Sequence, residues 1–342
     1  MKNCNAIILA AGKGTRMLSE LPKCAYPFYG KPMITYIINM CKKIQIDDIC
    51  VVVGHKKEIM EKLLQDEVKY AYQKEQLGTA NAVLAAKDFL EKHNEDITLI
   101  FPGDMPLIDG DIINNLIKEH IENDNDLTIL TTVIDNPTGY GRIIRQDGQI
   151  IKIIEEKDAD DSVKAINEIN TSLYCINTNL LVRSLLKVNN NNSKGEYYLT
   201  DIVKILSSNK KVKAYLTRYD FRLSGINDLY TLSLVEKEYQ KYINKNWMEK
   251  GVHLINPDSI IIEDEVKIDV NVTIDAFCII RGKTTIIKDT YIPPYSLIIN
   301  NINLIEIFIN IDYNCINNSY IKGDIYGKNN TSNNYQSDNF TP

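Results

Sequence analysis

Small and basic residues crowd the stretch Leu9-Ala10-Ala11-Gly12-Lys13-Gly14-Thr15-Arg16-Met17, and Leu21-Pro22-Lys23 adds a further base. Glycine and alanine let backbone N–H groups approach a bulky anion, and Arg16 and Lys23 can neutralise its charge, so the loop suits polyphosphate binding. Its spacing is neither the G-x-x-x-x-G-K-[ST] of P-loops nor the G-x-G-x-x-G of dinucleotide folds. Such a glycine turn can be purely structural, but this one follows the apolar run Ala6-Ile7-Ile8-Leu9-Ala10 and precedes two bases. Pro102-Gly103-Asp104 ends a second apolar run, Ile97 to Phe101. Asp104 reads as a turn residue or as a hard oxygen donor for a cation. Gln73 can offer a donor and an acceptor to a base edge, or simply lie on the surface. Asn227, opening a long helical stretch, reads as an N-cap, an oxygen donor, or both. Of the adjacent Glu155 and Glu156, one is expected to be only solvated. Lys157 reads as a phosphate partner or a solvated base, and Tyr197 and Tyr198 as packing.

The elements that must carry these groups follow from hydrophobic period. Strands are expected at Ala6 to Ala10, Asp48 to Val53 and Ile97 to Phe101, and helices at Met33 to Cys41, Lys57 to Leu64, Thr79 to Leu90 and about Asn227 to Asn246. Alternation of this kind implies a mostly parallel sheet with helices on both faces. Ligands in such sheets sit beyond the carboxyl ends of the strands, which points to the loops after Ala10, after Phe101 and around Gly78.

After residue 250 the rhythm changes. Ile262, Ile268, Ile274, Ile280, Ile286 and Ile292 recur every six residues, and Ile298 and Leu304 continue the series. Four places after the first six come Val266, Val272, Cys278, Thr284, Thr290 and Ser296. Period six with a small partner is the pattern of a hexapeptide-repeat parallel β-helix, against the alternative of a few ordinary amphipathic strands. With three hexads per coil, residues 262–297 make two coils, and so short a solenoid needs capping or partners. Residues 310–342 are rich in Asn, Ser, Tyr and Asp and are expected to be a largely disordered tail.

The whole chain of 342 residues, 44% hydrophobic and 25% charged, suggests two domains. A net charge of -6 disfavours nucleic acid and anionic membranes as partners but leaves a small anionic substrate open. Seven scattered cysteines without a C-x-x-C pair argue against a disulfide framework or zinc site. The first apolar run is too short to span a membrane and lacks signal-peptide flanks, so a cytoplasmic protein is expected.

The loop sequence resembles the signature of the sugar nucleotidylyltransferases, and is most similar to the bifunctional N-acetylglucosamine-1-phosphate uridylyltransferase/glucosamine-1-phosphate acetyltransferase family. Further segments match in order: Gln73-Lys74-Glu75-Gln76-Leu77-Gly78-Thr79, Gly103-Asp104-Met105-Pro106-Leu107, Pro137-Thr138-Gly139-Tyr140-Gly141-Arg142-Ile143, Ile154-Glu155-Glu156-Lys157-Asp158, Glu168-Ile169-Asn170-Thr171, Gly195-Glu196-Tyr197-Tyr198-Leu199-Thr200-Asp201 and Gly225-Ile226-Asn227. The likeness covers roughly residues 4–300 and implies a Rossmann-like α/β nucleotidyltransferase domain at 1–226, a linking helix at 227–250 and a short left-handed parallel β-helix at 251–309. It further implies that Leu9, Ala10, Ala11 and Gly12 wrap the nucleotide, with Gly14, Gln76 and Gly103 in the same set. Gln73, Gly78 and Thr79 would read uracil. Arg16 and Lys23 would hold and polarise the triphosphate as catalytic residues, Asp104 and Asn227 would hold Mg2+, and Gly141, Glu155 and Asn170 would line the sugar pocket.

The implied substrates are UTP and a sugar 1-phosphate, N-acetylglucosamine 1-phosphate in this family. The phosphate nucleophile is already ionised at pH 7, so no general base is required, and catalysis reduces to positioning and charge stabilisation. The chain departs from the family in its C-terminal half. The histidines are His55, His93, His120 and His253, so none beyond 253 can serve as base for acetyl transfer, and acetyltransferase activity is expected to be absent. The short solenoid also weakens the expectation of a homotrimer. Cys24-Ala25-Tyr26-Pro27 follows Lys23 where relatives usually carry other residues. Competing readings are another UDP-sugar or dTDP-sugar enzyme, a non-catalytic subunit, and a nucleic-acid module. The second should have lost Arg16, Lys23 or Asp104, and the third lacks a basic stripe.

Overall fold

The computed structural model describes residues 3–303, and the chain divides into two units, Met1–Tyr239 and Gln240–Pro342. The Leu304 hexad position and the 310–342 segment lie outside the described residues.

The first unit begins with β1 (Cys4–Leu9), a two-stranded ribbon of β2 (Pro27–Phe28) and β3 (Lys31–Pro32), and α1 (Met33–Lys43). Next come β4 (Ile49–Val53), α2 (Lys57–Leu64), β5 (Lys69–Tyr72), α3 (Thr79–Ala85), α4 (Lys87–Lys92), β6 (Ile97–Pro102), α5 (Gly110–Glu122) and β7 (Leu127–Val133). A hairpin, β8 (Arg142–Gln146) and β9 (Gln149–Ile154), leads through α6 (Asp161–Lys164) to β10 (Glu168–Asn177), α7 (Thr178–Leu185), α8 (Asp201–Ser207), β11 (Val212–Thr217) and α9 (Leu229–Glu249). The main sheet runs β11-β7-β10-β6-β1-β4-β5, with β8 joined to β10. β1 lies parallel to β4 and β6, and β4 parallel to β5, so the loops after these strands share one edge. β10 is inserted antiparallel between β6 and β7.

Strand alternation sends Ala6, Ile8 and Ala10 into one apolar cluster and Ile7 and Ala11 into another. Burial on both faces is why the sequence of β1 reads as an unbroken apolar run. Two element bounds differ from the sequence reading. The helix expected from Thr79 to Leu90 is two helices, because the chain tightens at Ala86, whose N–H donates to Val83 O three residues back. The helix expected from Asn227 starts at Leu229, because Asp228 is its cap: the Asp228 carboxylate accepts from Thr231 N at 2.7 Å.

In the second unit, β12 (His253–Leu254), β13 (Ile261–Ile262), β14 (Lys267–Ile268), β15 (Thr273–Ile274), β16 (Ile279–Arg281), β17 (Thr285–Ile286), β18 (Tyr291–Ile292), β19 (Leu297–Ile299) and β20 (Ile302–Asn303) follow one another. Ile262 pairs in parallel with Ile280 and Ile280 with Ile298; Ile268 pairs with Ile286, and Ile274 with Ile292. The step between partners is three hexads, so the repeat builds a three-faced parallel coil rather than separate amphipathic strands. All seven of these isoleucines are buried, with Val266, Val272, Cys278, Thr284 and Ser296 beside them; Thr290 is only half-buried. Burying each such side chain contributes about 1.5–3 kcal/mol.

The corners carry a feature the hexad pattern does not announce: Asn271, Phe277, Asp289 and Tyr295 all have positive φ, near 60°. That conformation costs a non-glycine residue about 1–2 kcal/mol. Partners one coil away offset it, with Phe277 stacked on Tyr295 at 5.1 Å and Asn271 donating to Asp289 at 2.5 Å. Beyond β19 the chain turns back, and β20 pairs antiparallel with it. Asn300 and Asn301 at that turn accept from Lys283 N at 2.9 Å and Thr285 N at 2.7 Å, satisfying N–H groups at the start of β17. Within this unit, Asn244 ties the helix end to the coil through Pro257 O at 2.7 Å and Ile260 O at 2.8 Å.

Candidate active site

The loops after β1 and β6 meet at one point. Gly103 N donates to Leu9 O at 3.0 Å, and a Cβ on Gly103 would stand 2.6 Å from that oxygen and 2.7 Å from Cys24 Sγ. Only glycine lets the two loops approach this closely. Gly14, at φ +59, lies against Lys23, whose Cβ would be 2.8 Å from an added methyl. The Lys23 ammonium bonds the Asp104 carboxylate and also donates to Asn227 Oδ1 at 2.8 Å. Arg16 donates to the same Asn227 oxygen at 2.8 Å. The segment carrying Asn227 is stitched in by Ile226 N, which donates to Asp104 O at 2.9 Å. Asp104 therefore is no mere turn residue, and Asn227 is not the helix cap, since its neighbour Asp228 takes that task. Cys24, buried beneath this cluster, has its thiol pushed up to about 12 by burial and then by the Asp104 charge.

A cation already sits between Asp104 and Asn227, the Lys23 ammonium, so this pair of oxygens has the chemistry a hard divalent ion requires. Among the described residues no three of His, Cys, Asp or Glu cluster as a metal site.

On the β4–β5 side, Gln73 is buried and donates through Nε2 to Gly78 O at 3.1 Å and Asn81 Oδ1 at 2.9 Å, so it is not a free surface group. Gly78, at φ +116, leads into α3; a Cβ there would be 2.5 Å from Tyr197 O. Tyr197 N donates to Leu77 O at 2.7 Å, Ala80 N to Tyr197 O at 2.9 Å, and Leu199 N to Thr79 Oγ1 at 2.8 Å. The Tyr197 backbone thus holds the loop that carries Gly78, while its half-buried side chain packs against the core. Gln76 reaches Gly54 at the end of β4, where a Cβ would meet Gln76 Nε2 at 2.8 Å and Ala11 O at 3.0 Å. Gly54 was not singled out from sequence; a glycine directly after a buried strand was its signal.

Gly141, Glu155 and Asn170 form a second cluster. Asn170 N donates to Gly141 O at 2.9 Å, and a Cβ on Gly141 would stand 3.6 Å from Glu155 Oε2. Asn170 shapes a bulge in β10, accepting from Ser172 N at 3.0 Å and donating to Tyr174 OH at 2.7 Å. Burial raises the Glu155 carboxyl above its ordinary range, against a hydrogen bond from Thr200 Oγ1 at 3.0 Å and the charge of Lys194. Its neighbour is spent elsewhere. Burial works to raise Glu156 as well, but the Arg142 bond at 2.7 Å, a backbone bond from Gly139 and the charges of Arg142 and Lys164 together hold this carboxyl below the usual range. Lys157 is exposed. Two residues of the matched motifs had no assigned task. Arg142 is buried and bonds Tyr140 O, fixing the loop before Gly141. Tyr140 lies near Asp104 and Gly225, its hydroxyl raised by burial and then by Tyr219 and Asp104.

The profile of the nucleotidyl transferase family matches residues 5–253. The chain belongs to the nucleotidyl transferase family. It is 45% identical over 276 residues to the bifunctional protein GlmU of Acholeplasma laidlawii, covering 80% of this chain and 60% of that protein. The GlmU of Thermoanaerobacter pseudethanolicus is 40% identical over 327 residues, covering 95% of this chain and 70% of the relative. The chain thus spans about two thirds of the length of the curated relatives it matches. A crystal structure titled as a putative glucose-1-phosphate thymidylyltransferase from Bacillus anthracis superposes with TM-score 0.55 at 21% identity, over 68% of this chain and 94% of that one, and shares the fold. Among the described residues the cysteines are free and no helix is long and apolar enough to cross a membrane.

Proposed function

We propose that this nucleotidyltransferase moves a uridylyl group from UTP to N-acetylglucosamine 1-phosphate, giving UDP-N-acetylglucosamine and pyrophosphate. The observation that carries the reading is the convergence of Arg16, Lys23, Asp104 and Asn227 at the carboxyl ends of β1 and β6. An oxygen of the sugar phosphate attacks the α-phosphorus, a new P–O bond forms, and the bond to pyrophosphate breaks on the opposite side. The Gly12–Gly14 turn brings backbone N–H groups to the triphosphate. Lys23 and Arg16 exchange their bonds to Asp104 and Asn227 for phosphate oxygens, neutralising charge as it shifts to the leaving group. Asp104 and Asn227 would hold a magnesium ion, which when bound supplies further neutralisation of phosphate oxygens. With its Nε2 committed to Gly78 and Asn81, Gln73 presents its carbonyl oxygen to a base N–H. Glu155, half-buried and oriented by Thr200, accepts from a sugar hydroxyl, beside Gly141 and Asn170.

The second unit offers no histidine after His253 as a base, so acetyl transfer is outside this reading; acetyl-CoA turnover of glucosamine 1-phosphate above background would overturn that part. A left-handed sense of the coil and a cytoplasmic setting belong to the same proposal, while the shortness of the coil weighs against a homotrimer built through it. The deciding assay is pyrophosphate release from UTP and N-acetylglucosamine 1-phosphate with Mg2+, beside glucose 1-phosphate, glucosamine 1-phosphate and dTTP. Release with the first pair alone is expected. Release with another pair corrects the sugar or the base, and none with any pair overturns catalysis.

A further inference from the structure

We infer that Arg222 is a positioning residue for Asp104 and Asn227, latching the segment that carries the one to the segment that carries the other. This rests on the proposed function, in which these two oxygens hold the metal. The two segments meet directly at two places separated along the chain. Beside the oxygens, Ile226 N donates to Asp104 O at 2.9 Å. Five residues before Asn227 and five after Asp104, the Arg222 guanidinium forms an ion pair with the Asp109 carboxylate. Both supports of this pair are themselves fixed. Arg222 is held in a fork by Asp220, through Nε to Oδ1 at 2.9 Å and Nη2 to Oδ2 at 3.0 Å, with its own N–H also donating to Asp220 Oδ1 at 2.9 Å. That grip keeps Asp220 well ionised, below the usual carboxylate range. Asp109 is the cap of α5, accepting from Asp111 N at 2.8 Å.

An isolated ion pair at this depth, both side chains about a quarter exposed at 24%, contributes little to stability. Its consequence is geometric. Without it, the two segments are held together at the oxygens themselves, by the Ile226 N–Asp104 O bond and the shared Lys23 ammonium, and losing a residue that orients a metal's ligands costs about 10–100-fold in affinity or activity. Lysine cannot replace Arg222, because gripping Asp220 and Asp109 at once needs the planar fork.

For Arg222→Gln, charge and latch predict opposite signs, which makes that variant the deciding one. Arg222 is a cation near carboxylates, so its removal by charge alone would tighten binding of another cation. Loss of the latch weakens it. The full-length chain and its Arg222→Gln, Asp109→Asn and double variants are titrated with Mn2+ in the presence of UTP, and bound Mn2+ is read by electron paramagnetic resonance. Asp109→Asn keeps a competent helix cap while removing the charge that Arg222 meets. Each single variant is expected to raise the apparent Mn2+ Kd about tenfold. The double variant should be no worse than either single one, and the melting temperature should stay within a few degrees. Unchanged or tighter Mn2+ binding in folded Arg222→Gln, or additive losses in the double variant, overturns the latch alone. Absence of UTP-dependent Mn2+ binding in the unaltered chain overturns the latch and the proposed function together.

Discussion

Replacing Gly78 by alanine tests how the nucleotide and sugar sides of the site are joined. Gly78 has φ +116, a region open essentially only to glycine, and its added Cβ would lie 2.5 Å from Tyr197 O and 2.7 Å from Tyr197 N. The backbone strain costs about 1–3 kcal/mol. The clash forces apart segments joined by Tyr197 N to Leu77 O at 2.7 Å and Ala80 N to Tyr197 O at 2.9 Å. Each of those bonds stabilises by about 1 kcal/mol net. The total, about 3–5 kcal/mol, corresponds to a fall of about 10 °C in melting temperature for a unit of this size. Because Leu199 N is bound to Thr79 Oγ1 at 2.8 Å, and Thr200 orients Glu155, the displacement reaches the sugar side. KM should therefore rise for both UTP and the sugar phosphate. Calorimetry and steady-state pyrophosphate release measure the two effects. A melting point within about 3 °C of the unaltered chain, with both KM values unchanged, would refute the reasoning.

Lys23→Met should lower kcat/KM by roughly 10²–10³-fold, while divalent-ion binding to nucleotide-free protein tightens because Asp104 loses its resident cation; weaker binding there would contradict the pairing. Glu155→Gln removes a carboxyl whose folded-state value is raised by burial. A raised acid disfavours folding once pH exceeds its unfolded value, so the variant should melt higher than the parent at pH 8, and the gap should close as pH falls below the carboxylate range. The same change should raise the sugar-phosphate KM by about tenfold or more, which a substrate titration reads. Ile280→Ala, at a fully buried rung, should cost about 2–5 kcal/mol in the unfolding of the second unit, seen by denaturant titration.

Much of this molecule was readable from residue order because single-residue types carried the signal. The glycines after β1, the Pro-Gly-Asp after β6 and the isoleucines at period six each stand out by residue type and spacing. What stayed ambiguous depended on contacts distant in sequence. Asn227 and Asp228 are equally good caps on paper, and only the position of Arg16 and Lys23 separates them. Glu155 and Glu156 look alike until Arg142 claims the second. The antiparallel insertion of β10 is hidden because a buried strand reads the same in either direction. The break at Ala86 is hidden because alanine is an excellent helix former, and tertiary packing overrides that preference.

The three-faced coil has a consequence for how such a chain can change length. Each rung stacks on the one three hexads away, as Ile262 on Ile280 and Ile280 on Ile298. Adding or removing one whole circuit returns every isoleucine to the interior and every corner to its left-handed partner. A change that is not a multiple of six, unless looped out at a corner, turns the following isoleucines outward, whereas a single hexad keeps them inside and moves each later strand to the next face. The second unit is in this sense counted in hexads, and the residue series that spells it can be edited six residues at a time but not by the letter.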